Sequence, residues 1–455
     1  MESELYDTVI VGGGLAGLAA AYSLRGRRIL VLEKGDRPGG RVYSVARPPF
    51  WLNFGAHMFG GPGTRIGDLV QELNLETRPI NGALFGLAFG GKRMLSGRPE
   101  AYPFRLPLCL TGRLDFARMG LKLRRGSNQV VRAMEPRAGE SSQATRARMA
   151  SFSNNQTLSS FIGKLHPDVS SILTAITERT GGDPSEMAAG YALRSFANVW
   201  SNHSPGRNLV GGSALLPSAI AEKLGQRIRY GTTVSGITQS PSGVTIDAND
   251  ASGRLRFQAK NCIVATPAFV AAEIINTLPA DTRAALKSIR YGAFLTAAVL
   301  TDEKQSMPWE RHYAISTPGR SFSTLFNQAT TLRNGLARMR GGSLMLFRGA
   351  RGAVELMQLR DAEITDRFRD DLISEFPEAS DCIREIIIQR WEAGAPYSWP
   401  GRGRLQGALT KPLGNVTLAG DYLEFPNMEV AIQTGFEAAD AVTRHQLAEK
   451  VSERG

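Results

Sequence analysis

The residues best suited to chemistry stand near the start of the chain, as a glycine pattern between a predicted strand and a predicted helix. A β-prone run ends in Gly12-x-Gly14-x-x-Gly17, and an Ala/Leu-rich helical pattern follows directly. Gly12 permits a tight turn, Gly14 lets the backbone approach a pyrophosphate, and Gly17 allows close packing of helix on strand. The free N–H groups and the positive end of the helix dipole then face the phosphates. The pattern therefore predicts a dinucleotide-binding βαβ unit.

Two charged residues follow at positions where such a unit uses them. The β-prone run 28–32 ends at Glu33, whose carboxylate can bind the hydroxyls of a ribose. Arg41 stands directly after the glycine turn Gly39-Gly40, and its guanidinium could reach the dinucleotide phosphates. Glu33 and Arg41 are therefore predicted to bind the cofactor.

The other end of the chain contains a second candidate anchor. A predicted strand over 415–419 leads into Gly420 and Asp421, and a helix is predicted from Met428 to about 447. Asp421 could accept a hydrogen bond from a sugar or ribityl hydroxyl. The first N–H groups of the helix, around Met428, Glu429 and Val430, would be unpaired and close to the positive dipole end. Facing the pyrimidine side of a flavin, they would stabilise the negative charge that develops on reduction.

Composition limits the class of protein. The chain has 455 residues, of which 42% are hydrophobic and 21% charged, which is ordinary for a globular protein of two or three compact units. Its three cysteines are too few and too scattered for a disulfide framework or a metal cluster, so no metal site is predicted. The acidic residues after Met1 do not suggest a signal peptide. No apolar run is long enough to suggest a membrane span. We expect a cytoplasmic location.

The net charge of +12 raises the question of an anionic partner. No nucleic-acid motif or stacking-aromatic pattern accompanies this charge, so no nucleic-acid partner is expected. The arginines are dispersed apart from one segment between Arg113 and Arg148, and in its first part, 113–125, leucines are interleaved with the basic residues. That segment could be an amphipathic helix in peripheral contact with an anionic membrane, or a solvated surface helix that leads into a loop. Both interpretations stay open at this point.

The order of patterns predicts an α/β protein of two discontinuous domains. Further elements are predicted as helices over 64–75, 214–224 and 361–376, an interrupted helical region over 158–200, short strands over 84–108, and strands at 228–230, 233–238, 244–247 and 262–265. The helix 361–376 is the one clear helix predicted within 286–400. The domain boundaries are predicted as 1–80, 207–285 and 401–455 for the cofactor domain, with 81–206 (helical) and 286–400 (sheet) for a substrate domain.

Several motifs in this order resemble those of the flavin amine oxidase superfamily, which includes amine oxidases, protoporphyrinogen oxidases and carotene or phytoene desaturases. The resemblance spans nearly the whole chain. The motifs that carry it are Val11–Gly17, Glu33, Gly39-Gly40-Arg41, Phe54-Gly55-Ala56, Gly211–Pro217, Val264-Ala265-Thr266-Pro267, Leu418–Tyr422 and Asn427–Ala431.

The resemblance implies FAD rather than NAD, in a Rossmann-like domain of the p-hydroxybenzoate-hydroxylase type. Val234 would clamp the adenine through its backbone, and Ala265 would contact the cofactor. In 51–61, where Gly55 and Ala56 lie, small residues alternate with large ones, which suits a backbone that passes close to a flat ring. No second glycine fingerprint for a nicotinamide is visible, so electrons are expected to leave to O₂, a quinone or another carrier. The oligomeric state stays open.

The sequence departs from typical amine oxidases at four positions. Thr296 stands where they have a lysine near flavin N5, and Ala395 where monoamine oxidases have the cysteine that binds flavin covalently. Pro396 and Asn427 replace the two tyrosines of the amine cage. Non-covalent FAD is therefore expected. The run Arg390-Trp391 with the later Pro396-Tyr397 is more similar to protoporphyrinogen oxidases, and Leu418–Tyr422 to desaturases.

The expected reaction is a two-electron dehydrogenation of a hydrophobic small molecule by hydride transfer to flavin N5. The alternatives are amine oxidation with non-covalent FAD, a flavin-dependent isomerase, and a flavoprotein without catalysis. Candidate pocket walls are the aromatic residues Trp391, Tyr397, Trp399 and Tyr422. His57 could carry a proton, or it could position and pack beside the cofactor.

Overall fold

The computed structural model describes residues 5–80, 86–97, 99–135, 137–197, 199, 206–333 and 338–452. Within them the strands, numbered along the chain, are β1 (Leu5–Val11), β2 (Ile29–Leu32), β3 (Ser44–Arg47), β4 (Phe50–Asn53), β5 (Thr77–Pro79), β6 (Gly86–Phe89), β7 (Lys92–Met94), β8 (Arg207–Leu209), β9 (Ile228–Arg229), β10 (Thr233–Ser240), β11 (Gly243–Asp250), β12 (Gly253–Val264), β13 (Arg290–Thr301), β14 (Ala314–Ser316), β15 (Thr324–Asn327), β16 (Gly342–Gly349), β17 (Ile383–Tyr397) and β18 (Val416–Leu418).

The α-helices of the same ranges are numbered in the same way. They are α1 (Leu15–Ser23), α2 (Arg65–Glu72), α3 (Tyr102–Arg105), α4 (Leu110–Met134), α5 (Ser142–Ser151), α6 (Leu158–Ile162), α7 (Pro167–Thr177), α8 (Ala189–Arg194), α9 (Leu215–Leu224), α10 (Ala268–Ile274), α11 (Ala280–Ser288), α12 (Ala350–Leu356), α13 (Asp361–Glu375), α14 (Gln406–Leu409) and α15 (Met428–Ser452).

The first large sheet contains strands from both ends of the chain. Its order is β10-β11-β12-β1-β2-β9, and β18 also pairs with β12. β1 pairs in parallel with β2 and β12, and β12 pairs in parallel with β18. Since carboxyl ends of parallel strands meet at one edge, the residues that follow β1, β12 and β18 lie side by side there: the Ala265 N–H donates to Val11 O at 2.8 Å, and the Ala419 N–H donates to Val264 O at 3.0 Å.

Helices cover both faces of this sheet and join the two chain ends. On one face α1, α9 and α15 share a buried apolar cluster, and α10 and α11 pack on the other face. A Cβ on Gly435 of α15 would lie 2.2 Å from Ala16 O of α1. Helix α15 therefore lies so close to α1 that only glycine fits at this position.

The second large sheet has the order β17-β13-β16-β15-β14-β6-β7. Ile364, Phe368 and Leu372 of α13 recur every fourth residue, which places them on one helical face. All three are fully buried in the cluster that contains the apolar residues of β13 and β16. Helix α13 thus covers one face of this sheet through a single apolar stripe.

Helices α3 to α8 form a third layer with its own core. Met119, Leu123 and Val130 of α4 are buried in that core together with residues of α6, α7 and α8. Tyr397 at the end of β17 packs against the same cluster. This helical layer therefore contacts the second sheet where β17 ends.

Within the described residues, no helix is both long enough and apolar enough to span a membrane.

Several predicted elements are confirmed, among them α2, α9, α13, β10, β18 and α15. The short strands predicted over 84–108 are only partly right, because β6 and β7 are strands whereas 102–105 is helical. The clear amphipathic helix predicted over 361–376 is α13, whereas α12 has no counterpart among the predicted elements; its seven residues are too few to show a clear helical period. Of the predicted elements, residues 84–85, 98, 198 and 200 lie outside the described residues.

The predicted domain boundaries can be set beside the two large sheets. The first sheet takes its strands from 1–80, 207–285 and 401–455, and the second from 286–400 together with β6 and β7. Residues 81–206, predicted as helical, therefore contribute two strands to the second sheet. The boundaries themselves stay a prediction.

Candidate active site

The loop between β1 and α1 has the geometry that its three glycines predict. Gly12 has a φ of +106°, and its N–H donates to Leu32 O at 2.8 Å. A Cβ on Gly17 would lie 1.9 Å from Gly12 O, whereas a Cβ on Gly14 would meet nothing within 4 Å. Gly12 and Gly17 are thus required by the protein itself, while Gly14 faces open space of the kind that a bound phosphate needs.

Glu33 lies against this loop, as predicted from its spacing. Its carboxylate accepts the Gly13 N–H at 2.6 Å and the Gly35 N–H at 2.7 Å. Its main-chain oxygen accepts the Thr232 N–H at 2.9 Å, which brings the start of β10, with Val234, to the same edge. Val234 is buried beside an irregularity in the β10–β11 pairing. Their ribose and adenine roles stay predictions.

Arg41 is held by parts of the chain that are far apart in sequence. One amino group donates to Asp421 Oδ1 at 2.7 Å, and the other donates to Gly394 O of β17 at 3.0 Å. Burial opposes the charge, yet the Asp421 carboxylate raises the pKa of Arg41 above its ordinary value. The Arg41 guanidinium thus joins the two ends of the chain and the second sheet. Its contact with the dinucleotide phosphates stays a prediction.

The residues predicted to pass beside the flat ring pack directly on Arg41. The Ala56 N–H donates to Arg41 O at 3.1 Å, and a Cβ on Gly55 would lie 2.1 Å from the same oxygen. Ala265 lies on the other side of the glycine loop, with its carbonyl oxygen 2.8 Å from the position of a Cβ on Gly12. The structure thus gathers Gly12, Arg41, Gly55 and Ala265 around one edge of the first sheet.

The start of α15 differs from the expectation of unpaired N–H groups. The Val430 N–H donates to Asn427 Oδ1 at 2.7 Å, so the prediction is wrong for Val430 because asparagine caps the helix. The Glu429 carboxylate accepts the N–H groups of Arg65 and Ile66 at 2.8 and 2.9 Å, and thereby caps α2. The positive dipole end remains available at Met428, which is buried.

Gly420 shows why the strand-to-helix turn needs glycine. Its φ is +146°, and a Cβ would lie 2.7 Å from the Tyr422 ring. Its N–H donates to Thr434 Oγ1 at 3.0 Å. The turn therefore fixes both Asp421 and Tyr422 against α15.

The carbonyl group of Phe54 links the second sheet to residues 51–61, whose backbone is predicted to pass close to a flat ring. Phe54 O accepts the Trp391 Nε1–H at 2.8 Å and the Thr296 hydroxyl at 2.9 Å. Thr296 is buried and occupies the position at which the resemblance places a lysine in amine oxidases. The side chain at this position is therefore neutral and already paired with the protein.

The predicted pocket walls differ in their surroundings. Tyr397 is half-buried, and its hydroxyl lies 3.4 Å from Glu186 Oε2. Trp399 packs beneath the Arg290 guanidinium, 4.8 Å from the ring centre. Tyr422 is buried, and its hydroxyl has no hydrogen-bond partner among the residues that the structure describes. An unpaired buried hydroxyl is costly. Of these three residues, Tyr422 is therefore the best placed to form a hydrogen bond with a bound cofactor or substrate.

His57 lies in an apolar setting that suits positioning. Its Nδ1 is 2.8 Å from Gly55 O, and its ring packs against Phe326 and Tyr313 at centroid distances of 5.4 and 6.0 Å. Loss of solvation lowers the pKa of His57 from 6.5 to about 4. The imidazole is therefore neutral near pH 7, and a proton-transfer role stays a prediction.

Three residues near this site were missed in the sequence. Tyr191 donates to Thr180 O at 2.6 Å and lies against the Phe425 ring at 5.1 Å, and Arg194 covers the same ring at 4.2 Å. Tyr191 and Phe425 are more than 200 positions apart, so no local pattern could join them. The position of Phe425 close to the closing Leu418–Tyr422 motif was the one available signal.

The described residues fit a bound FAD. Three features suit this cofactor. Open space is present at Gly14, and the Glu33 carboxylate lies against the same loop. Near the end of the chain, the Tyr422 hydroxyl has no partner among the described residues. Ala395 has no sulfur with which to attach a flavin. These features match the demands of a dinucleotide cofactor on a Rossmann-like domain.

Comparison with known families agrees with this geometry. The family of flavin containing amine oxidoreductases matches residues 15–443. The chain belongs to this family, and it is a flavin-dependent oxidoreductase that uses FAD.

Individual relatives are distant. The chain is 23% identical to the chloroplastic protoporphyrinogen oxidase of Oryza sativa subsp. japonica, over 96% of this chain and 88% of that protein. It is 27% identical to the L-amino acid dehydrogenase of Synechocystis sp., over 61% of this chain and only 59% of the relative's length. The solved cyclohexylamine oxidase from Brevibacterium oxydans superposes with a TM-score of 0.76 at 21% identity, over 97% of this chain and 100% of that structure, which confirms the fold.

The three glycines of the loop yield a matched pair of variants. Gly14→Ala adds a methyl group to open space at an extended backbone position, so we expect normal stability but FAD affinity weakened by about tenfold or more. Gly17→Ala forces a methyl group against Gly12 O, so we expect a lower unfolding temperature even without flavin. Fluorescence titration with FAD and thermal unfolding of the apoprotein measure both effects. If the two variants changed FAD affinity and unfolding temperature alike, the assignment of Gly14 to the phosphates and of Gly17 to helix packing would be contradicted.

The low pKa of His57 predicts a pH dependence of stability. The unfolded state binds a proton below about pH 6.5 and the folded state only below about pH 4, so stability falls as the pH drops through this window. We expect His57→Asn to flatten this decline by at most about 3 kcal/mol. Urea unfolding midpoints of both proteins across the window provide the measurement. An unchanged slope in the variant would show that His57 is solvated.

Proposed function

We propose that this enzyme dehydrogenates a hydrophobic, uncharged small molecule by transfer of two electrons to non-covalently bound FAD, and passes them to O₂ or a quinone. The observation that carries this proposal is the pairing of Phe54 O with Thr296 and Trp391. Beside residues 51–61, Thr296 of β13 and Trp391 of β17 have neutral side chains that donate to the protein backbone. Such a surface suits hydride transfer from an apolar substrate better than proton exchange with a charged one.

The arginines near Asp421 support an uncharged substrate. Arg41 is paired with Asp421, and Arg194 lies 3.3 Å from Glu424. Both cations therefore already have a carboxylate partner within the chain. A substrate carboxylate would have to displace one of those two partners, at the cost of leaving its charge unpaired.

The division of labour in the proposed reaction follows from these contacts. FAD supplies the acceptor for the hydride, and the protein supplies binding and orientation. The Gly12–Gly17 loop and Glu33 would hold the nucleotide end. At the other end the main-chain oxygen of Arg41 fixes Gly55 and Ala56, and its guanidinium pairs with Asp421. The aromatic groups Tyr191, Tyr397 and Phe425 would exclude water from the substrate, because burial of apolar surface favours a dry pocket.

Oxidation of a hydrophobic amine is the second candidate. It is favoured by the family description and by the name of the Synechocystis relative, an L-amino acid dehydrogenase. The first candidate is favoured by the rice relative, a protoporphyrinogen oxidase matched over nearly the whole chain. Thr296 and Pro396, in place of the lysine and a cage tyrosine, weigh toward the first.

Anaerobic reduction of the flavin distinguishes the two candidates. The purified holoenzyme is mixed without oxygen with porphyrinogens, with partly saturated polyenes and with hydrophobic amines, and its flavin absorbance is followed. We expect bleaching by a porphyrinogen or polyene and none by amines. Bleaching by amines alone would establish the second candidate. Turnover of a substrate without bleaching would contradict both and indicate an isomerase.

Thr296 gives a mutational test of the same conclusion. Thr296→Val keeps the side-chain shape and removes one hydrogen bond, while the Trp391 bond to Phe54 O remains. A bond of this type contributes about 1 kcal/mol, so we expect the rate of flavin reduction to fall by less than about tenfold. Thr317→Val is the matched control, because this buried threonine also donates to a backbone carbonyl, Phe322 O, at 2.6 Å. Loss of reduction by several orders of magnitude in Thr296→Val alone would show that its hydroxyl moves a proton.

A further inference from the structure

Helix α4 has two different apolar faces, and the described part of the chain covers only one of them. Met119, Leu123 and Val130 point into the helical core. The leucines Leu110 and Leu114 lie on the other face and are 74% and 64% exposed. Large apolar residues on a surface are usually scattered singly, whereas in this chain they cluster: the exposed members between 104 and 134 are Phe104, Leu110, Leu114, Leu121, Val131 and Met134.

The exposed leucines form a stripe along the helix. Leu110, Leu114 and Leu121 are separated by four and seven residues, so at 3.6 residues per turn they project from nearly the same side. Leu121 is 59% exposed, and Phe104 precedes the helix with 74% of its surface exposed. We call Phe104 and these three leucines the leucine stripe.

Arginines flank the leucine stripe on both sides. By the same helical geometry, Arg113 and Arg124 lie on one side of the stripe, and Arg118 and Arg125 lie on the other. All four side chains are exposed. Over its 25 residues α4 has six basic residues against a single acidic one, Asp115, so the exposed face is strongly positive.

This combination favours a lipid surface over a protein partner. An apolar row between two basic rows matches a bilayer interface, where leucines enter the acyl boundary and guanidinium groups meet phosphates. A second copy of the chain would bring the same arginines together and would be repelled. An acidic protein could neutralise the arginines, but the stripe of single leucines offers it no groove.

The helix is also fixed firmly enough to act as a rigid docking element. Lys122 donates to Ile162 O at 2.8 Å, and Asp115 accepts the His166 N–H at 2.8 Å. A Cβ on Gly126 would lie 2.8 Å from the Leu193 side chain. The exposed face therefore needs no rearrangement to present its leucines.

We propose that α4 docks this enzyme onto an anionic lipid bilayer, with the leucine stripe in the interface and Arg113, Arg118, Arg124 and Arg125 on the headgroup phosphates. The inference is independent of the proposed reaction, because it uses only surface residues. It also gives a use to the basic residues of α4, which the flavin site does not use.

Sedimentation with vesicles tests this proposal. The holoenzyme is mixed with vesicles of phosphatidylcholine alone, or of phosphatidylcholine with phosphatidylglycerol, and the bound fraction is measured at low and high salt. We expect binding to the vesicles with phosphatidylglycerol, weak binding to the neutral ones, and loss of binding as salt screens the arginines. Wild-type enzyme that stays in the supernatant with both kinds of vesicle would overturn the proposal.

Two pairs of variants separate the leucines from the arginines. Leu114→Ser/Leu121→Ser should bind the anionic vesicles at least about tenfold more weakly, whereas Leu5→Ser/Val354→Ser, with residues 46% and 50% exposed on other surfaces, should bind normally. Arg124→Gln/Arg125→Gln should weaken binding and reduce its salt dependence, whereas Arg254→Gln/Arg256→Gln on the first sheet should not.

Flavin content and sedimentation velocity complete the test. All four variants should retain bound FAD, since none of the changed residues lies at the flavin site. Equal vesicle binding by the leucine variant and wild type would overturn the proposal. So would a wild-type dimer that becomes a monomer in the leucine variant, because the stripe would then be covered by a second copy.

Discussion

The ion pair between Arg41 and Asp421 joins positions 380 residues apart and holds the two ends of the chain together. The same guanidinium donates to Gly394 O, so it also connects the first sheet to the second. Asp421 is buried, so removal of the Arg41 guanidinium would leave its carboxylate without compensation, which typically costs about 3–5 kcal/mol. Gly55 and Ala56 pack on the main-chain oxygen of Arg41, and Gly420 directly precedes Asp421, so all three lie next to this pair.

The rest of the site follows from how parallel strands end. β1, β12 and β18 deliver Gly12, Ala265 and Ala419 to one edge of the first sheet, which is where α/β proteins bind their ligands. Close contact of α1 with α15 at Gly435 then sets the start of the last helix beside the first loop. The second sheet contributes the neutral pair Thr296 and Trp391, which gives the site its apolar character.

The parts of this arrangement that could be predicted from sequence are those with local signals. The Gly12–Gly17 loop, Glu33 and the closing Gly420-Asp421 turn each depend on residues within one strand–turn–helix unit. Partners chosen by tertiary packing could not be predicted. Nothing near Glu429 indicates that it caps α2, and nothing near Arg41 indicates Gly394, because these contacts exist only once the chain has folded. Helix α12 was missed because a helix of two turns shows no clear period.

The central claim is that one FAD lies between the two ends of this chain without a covalent bond. Acid denaturation of the purified protein, followed by mass spectrometry of the released flavin and of the chain, tests it most directly. The account predicts one intact FAD released per chain and a polypeptide mass without any flavin addition. A flavin that stays attached to the denatured chain, or a protein that neither contains nor can be reconstituted with FAD, would contradict it.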